Sequence, residues 1–403
     1  MLRTPKTICC GCGACQQACP VHCVELKPDK KGFIYPNIDK RRCIKCGKCE
    51  NVCPVLYTTS SFNLLQVYAA KNSDEDKRLK SSSGGIFSLI AEKVIADGGV
   101  VFGTKWNEEF EAIVDWTDSI EGIAAFRGSK YLQSVVGDNY KKAEEFLKRG
   151  KSVLFSGTPC QIKGLKTYLG KEYENLLTVE VICHGAPSPL VWKKYLNSIV
   201  HLHSGAGRDR VISSLKLPSV INGVSFRDKT NGWKKFSFRI DYSSADESAE
   251  QNSVFEPTKS SFIEPFDQND YMRVFLSNLS LRPSCFNCKA KAGNSGADIT
   301  IGDLWGVDKH NSELDDDKGT SLVITHNNNA CVFFERIDIS LEKVSDEYIN
   351  NYNTSYLKSV DKPYTYEYFW RQYKRHGIYV LAKTRRFCPS IAYRIFKKIK
   401  GNK

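Results

Sequence analysis

The chain has no run of about eighteen uninterrupted apolar residues, so no membrane-spanning helix is expected. The longest candidate, residues 85–102, is broken by Glu92, Lys93 and Asp97. An apolar leader is also missing, because Met-Leu-Arg-Thr-Pro-Lys runs straight into cysteines, which argues against a secretory signal. Sixteen cysteines in such a chain then point to a reducing cytoplasm. Acidic residues are the minority, 45 against 58 Lys and Arg, and the net charge of +13 favours an acidic partner or a phosphorylated substrate. No helix-turn-helix, RNA-recognition or zinc-finger signature is present, so nucleic acid is not an expected partner. A length of 403 residues leaves room for two or three domains with their own cores.

What the chain does have is cysteine at a repeated spacing. Cys9, Cys12, Cys15 and Cys19 read C-x-x-C-x-x-C-x-x-x-C with Pro20 next, and Cys43, Cys46, Cys49 and Cys53 repeat it with Pro54 next. This is the bacterial ferredoxin pattern for two [4Fe–4S] clusters, in which the fourth thiolate of each run ligates the other cluster. Cys9, Cys12, Cys15 and Cys53 are therefore assigned to cluster one, and Cys43, Cys46, Cys49 and Cys19 to cluster two. Gly11, Gly13 and Gly47 allow the tight curl around a cube and let N–H groups face its sulfurs. Zinc sites more often use separated C-x-x-C pairs, and disulfides an oxidising compartment, so both explain two matching runs less well. Cys10 and Cys23 fall outside the pattern and read as packing thiols. Residues 1–57 form the expected ferredoxin-type domain, and the Ser/Thr-rich stretch around 58–66 a linker.

From residue 67 the texture is α/β. Strands are expected at 67–70, 100–104, 112–116, 152–156 and 176–182, with helices after Gly85, over 138–149 and over 162–169. The charged segment 72–80 reads as exposed. Ser83, Gly84 and Gly85 precede a helical apolar pattern, which suits either an anion cradle at a helix N-terminus or a plain cap. Ser129, Lys130, Tyr131 and Ser134 suit a phosphate and an aromatic ring, or a solvated loop. Gly157, Thr158 and Cys160 lie in a turn after one strand, and Cys183 and His184 follow the next. Ligands of α/β sheets gather at such carboxyl ends. Cys160, Cys183 and the pair Cys285 and Cys288 make four thiols. Spacing alone leaves open a third cluster, a zinc site or buried structural cysteines.

In order, the G-T-P-C-Q turn at 157–161, C-H-G at 183–185, C-x-x-C at 285–288 and D-I-T-I-G-D-L-W-G at 298–306 follow a dicluster module. With S-S-G-G and G-S-K-Y, this set resembles the coenzyme F420 hydrogenase/dehydrogenase beta-subunit family over roughly Cys9 to Thr325. The resemblance implies bound FAD, and Cys160, Cys183, Cys285 and Cys288 as ligands of a third [4Fe–4S] cluster. It makes Ser83, Gly84, Gly85, Ser129, Lys130, Tyr131 and Ser134 FAD contacts, with Gly157, Thr158 and His184 facing the flavin. His184 is either a proton donor at the flavin or a hydrogen-bond donor tuning the cluster beside Cys183. Asp303 either orients a flavin or substrate group or closes a strand-end turn.

The expected fold is therefore α+β. A small dicluster ferredoxin-like domain is followed by a larger α/β flavin-binding domain with a mixed sheet, in two parts, 67–150 and 151–338. The expected function is an iron–sulfur flavoprotein oxidoreductase. Electrons from a ferredoxin or another acidic redox protein would cross the clusters to FAD and a small-molecule acceptor, deazaflavin or other. A non-catalytic subunit feeding a partner enzyme, for instance in surface-polysaccharide synthesis, is the second reading. Residues 224–227 and 236–239 alternate about Asn231-Gly232 as a hairpin, and 241–261 reads as a polar loop. Residues 339–403 form a helical extension. Its basic tail from Ala382 suits an acidic partner or an anionic lipid surface, or a solvated terminus.

Overall fold

Val100 and Phe102 point to one side of a strand and Val101 to the other, and Val153 and Phe155 alternate with Leu154 in the same way. All six are buried, so these strands sit inside a sheet covered on both faces. In a computed structural model, which describes residues 4–56, 64–203, 219–244 and 258–382, they belong to an eight-stranded mixed sheet.

In chain order the strands are β1 (Val24–Pro28), β2 (Ile34–Ile38), β3 (Gln66–Lys71), β4 (Val100–Trp106), β5 (Ala112–Thr117), β6 (Val153–Gly157) and β7 (Leu176–Val181). They continue with β8 (Ser219–Asp228), β9 (Ser237–Ser244), β10 (Thr258–Pro265), β11 (Ile299–Asp303), β12 (Ser321–Thr325) and β13 (Ser340–Lys343). The large sheet has the order β13-β3-β12-β11-β7-β6-β4-β5. Its centre, β4, β6, β7 and β11, is parallel, and antiparallel strands flank it on both sides. The carboxyl ends of β6, β7 and β11 thus open on one edge. The Ile86–Ala96 helix packs on one face, and the Asn139–Lys148 and Pro159–Leu169 helices on the other.

The ferredoxin-like module sits on that second face. Cys12 and Ala14 belong to its apolar core. A Cβ on Gly164, in the Pro159–Leu169 helix, would stand 3.0 Å from the Cys12 Sγ. Only a bare backbone there admits the cysteine loop so closely. The β1–β2 hairpin links the two cysteine runs, and Ser188 Oγ donates to Lys31 O at its tip (2.5 Å).

A second sheet, β10-β9-β8, shares an aromatic core with the Pro189–His203 and Tyr366–His376 helices. The β8–β9 hairpin forms with a connection longer than a two-residue turn, and Trp233 is buried within it. The charged segment 72–80 is not wholly exposed. Asn72 and Arg78 are buried, because Arg78 reaches back to Gly319 O (2.8 Å) and pairs with Asp316 (2.5 Å). Among the described residues no helix is long and apolar enough to cross a membrane. Most of the linker, the middle of the polar loop, Cys388 and the basic tail lie outside the described residues.

Candidate functional site

Gly13 and Gly47 adopt left-handed φ values of 83° and 77°, which start the short turns bearing Cys15 and Cys49. Cys19, from the first run, joins Cys43, Cys46 and Cys49, from the second, around a cavity of about 350 Å³. Cys15 is pushed up to about 12 by burial and then by Cys9, Cys53 and Cys49, so it shares its surroundings with the last thiol of the other run. Cys23 also lines the first cavity, and its N–H donates to Cys19 Sγ (3.3 Å). Among the described residues no three His, Cys, Asp or Glu side chains converge on a single-ion position. Cys19, Cys43, Cys46 and Cys49 ring a cavity instead. Around the exposed Cys46 lie exposed Lys40, Arg41, Arg42, Lys45 and Lys48, with Ile44 61% exposed among them.

A larger cavity, about 650 Å³ with its solvent mouth, opens at the carboxyl ends of β6 and β7. Cys160 enters from the first turn of the Pro159–Leu169 helix, whose start is set by Pro159 and by Gln161 Oε1 accepting from Thr158 N (2.9 Å). Cys183 follows β7. Cys285 and Cys288 arrive because Pro187 bridges Leu281, Arg282 N donates to Ala186 O (2.9 Å), and Ala186 N donates to Cys285 Sγ (3.3 Å). All four thiols line the cavity, as do Thr158 and His184. Lys163, Arg282, Lys289 and Lys291 line it too, and among the described residues no carboxylate does. Burial pushes Cys183 up to about 12 and Cys288 to about 11, so the bare thiols resist ionisation until a metal replaces the proton. A cavity of thiols and cations fits an anionic thiolate-ligated iron–sulfur cluster.

His184 lies in the same wall. Its Nε2 meets Asn278 Oδ1 (2.7 Å), and its ring edge packs on Phe275. Burial holds its pKa below the usual range, which favours the neutral ring near pH 7.

Ser134 is tied to the helix that bears Cys160, and the other sequence candidates are held by contacts of their own. Gln161 Nε2 donates to Ser134 Oγ (2.8 Å), and Ser129 N and Oγ both donate to Ser82 Oγ (2.7 and 2.9 Å). Ser83 Oγ donates to Thr320 O (3.0 Å). A Cβ on Gly84 would stand 2.5 Å from Ala70 O, so that glycine serves the contact with β3 and β12. Lys130 Nζ donates to the carbonyls of Ala125, Arg127 and Gly128, and Lys229 Nζ to those of Arg78, Ser83 and Lys318. Burial pushes both amines down to about 7. Asp303 is engaged by Arg227 (2.8 Å) and by Trp233 Nε1 (3.3 Å), while Tyr131 Oη lies 3.3 Å from Arg227.

Sequence reasoning passed over several groups here. Cys10, read from the sequence as a packing thiol, has a place of its own in the site. It lines the larger cavity and interacts with both Cys12 and Cys160. Its position directly after Cys9 was the available signal. Lys163, Lys291 and Arg282 were also missed, since single basic residues carry no spacing.

Glu180, buried on β7, accepts from Thr300 Oγ1 (2.7 Å), and burial pushes it up from 4.5 to about 7. An acid with a raised folded pKa stabilises fully below its unfolded value, and that contribution is lost as pH rises to about 7. The Glu180→Gln variant should therefore be more stable than wild type at pH 8 by up to about 3 kcal/mol, and alike at pH 4.5. Denaturation midpoints across that range check it, and parallel profiles would contradict it.

Residues 150–346 match the family described as the C terminus of the coenzyme F420 hydrogenase/dehydrogenase beta subunit, and residues 8–56 match a 4Fe-4S dicluster domain. A xenon-derivatised structure of the F420-reducing [NiFe] hydrogenase complex from Methanosarcina barkeri aligns at 16% identity. The alignment covers 80% of this chain and 91% of that one, with a TM-score of 0.43. None of the curated proteins matches the chain.

Proposed function

We propose that the chain, whose residues 150–346 match the C terminus of the coenzyme F420 hydrogenase/dehydrogenase beta subunit behind a 4Fe-4S dicluster domain, is an iron–sulfur flavoprotein that reduces or oxidises a small molecule. The observation that carries this reading is the cation-rich cavity of Cys160, Cys183, Cys285 and Cys288, set against the dicluster module.

The residues have distinct tasks. The eight cysteines of the two runs hold two cubanes, and the four later thiols hold a third. Lys163 and Lys291 offset its negative charge. Lys229, which donates to Ser83 O, and Lys130, next to Ser129, would exchange carbonyl partners for the diphosphate of FAD, whose negative charge would favour their protonated forms. FAD, when bound, exchanges two electrons with a substrate and one at a time with clusters. His184, neutral and held by Asn278, presents a ring able to carry a proton beside Cys183. The basic surface around Cys46 suits an acidic electron carrier, whose approach it steers.

Protein purified without oxygen should be brown, with one flavin and roughly twelve irons per chain for three cubanes. Colourless, metal-free protein would refute the proposal. Roughly eight irons with no flavin would reduce it to an electron-transfer module.

A further inference from the structure

Arg282 is 1% exposed and among the largest fully buried side chains. Its Nε donates to Cys9 O (2.7 Å), Nη1 to Gln133 Oε1 (3.0 Å), and Nη2 to Ile34 O (2.9 Å). Nη2 also lies 3.7 Å from Cys9 Sγ, and the guanidinium stacks over Tyr35 at 4.1 Å. None of these hydrogen-bond partners is a carboxylate. A guanidinium cannot shed its proton, and burying its charge without a counter-ion is strongly unfavourable.

Among the described residues Arg282 makes no ion pair with a carboxylate, and two sulfur groups lie beside it. One is Cys9, assigned to cluster one. The other is the larger thiol cavity, which Arg282 itself lines. Arg282 stands between the two. Cys9 and Cys10 are consecutive, with Cys9 against the guanidinium and Cys10 lining the cavity, so the backbone spans the same gap.

We propose that Arg282 sets the reduction potentials of cluster one and of the third cluster together, keeping both high enough to receive an electron. This rests on the iron–sulfur reading above. The physical cause is that reduction adds negative charge, which a fixed cation and an N–H donor to sulfur favour. Cluster two, at the exposed end of the module, lacks this contact and serves as the internal reference.

Gln133 provides a test that leaves Arg282 in place. Its Oε1 accepts from Arg282 and from Ile34 N, whereas among the described residues its buried Nε2 has no partner. Gln133→Glu therefore deletes no hydrogen bond and places a carboxylate against the guanidinium. Arg282→Gln removes the charge outright, and Arg282→Lys keeps it.

Potentials are read by redox titration with electron paramagnetic resonance on the anaerobic holoprotein. In Gln133→Glu and Arg282→Gln, one of the two N-terminal potentials and that of the third cluster should fall. The one-electron equilibrium should shift by at least about tenfold, which is 59 mV, and the other N-terminal potential should hold. Arg282→Lys should restore most of the shift. If Gln133→Glu has its full iron and every potential unchanged, Arg282 is a packing group and the proposal fails. If wild-type protein holds no iron, the functional reading fails instead. If Arg282→Gln does not retain iron, Gln133→Glu and Arg282→Lys decide the matter by themselves.

Discussion

Replacing Cys183 by alanine should lower the iron content from roughly twelve to roughly eight per chain, the loss of one cubane. Cys183 leaves the end of β7 inside the larger cavity, opposite thiols that come from two other segments. Removing it leaves Cys160, Cys285 and Cys288. The spare thiol, Cys10, interacts with Cys160, so it stands beside a ligand that is still present. Substrate turnover should fall on the order of 100-fold or more, since loss of an outer-shell partner alone costs about 10–100-fold. The N-terminal clusters should still be reduced by dithionite, because their eight ligands are untouched. Iron analysis and stopped-flow reduction of one preparation separate these effects. A zinc or purely structural site would give roughly eight irons in both wild type and variant.

The parts legible in the sequence were those set by short-range spacing. Two identical cysteine runs announce a dicluster module, because the tight curl around a cube leaves a fixed repeat. The alternation in β4 and β6 and the capped helix after Thr158 are likewise local. The larger cavity is different. Its thiols come from three segments, and the contacts uniting them are a Pro187–Leu281 bridge and hydrogen bonds around Ala186. No local pattern encodes those, and only the ordered motifs of a family suggested them. Charge misled in a third way. The segment 72–80 reads as solvated, yet Arg78 turns inward to Asp316. Arg227, on the β8 hairpin, likewise sits in a plain alternating pattern and turns to Asp303.

That last pair should be the costliest to break. Arg227 has its side chain 5% exposed, stacks on Phe236 at 4.2 Å, and pairs with Asp303 at 2.8 Å. The contact ties β8 of the smaller sheet to the carboxyl end of β11 in the larger one. Asp303→Ala strands the guanidinium in apolar surroundings, where loss of one partner of a buried pair costs about 3–5 kcal/mol. Trp233 Nε1 loses its acceptor in the same step. The double variant Arg227→Met with Asp303→Leu should recover most of that loss, since apolar groups of similar size replace a buried pair at little cost. Equilibrium denaturation of the three proteins reads the difference. Asp303→Asn keeps an oxygen acceptor and distinguishes the two roles open to this residue. If Asp303 orients a flavin or substrate group, turnover drops while stability falls by only about 1.5–3 kcal/mol, the worth of a charge-assisted hydrogen bond. If it serves the sheets alone, turnover of the folded fraction stays at the wild-type value. The identity of its partners favours the second outcome: both oxygens of Asp303 already face groups of the chain, Oδ2 toward Arg227 and Oδ1 toward Trp233.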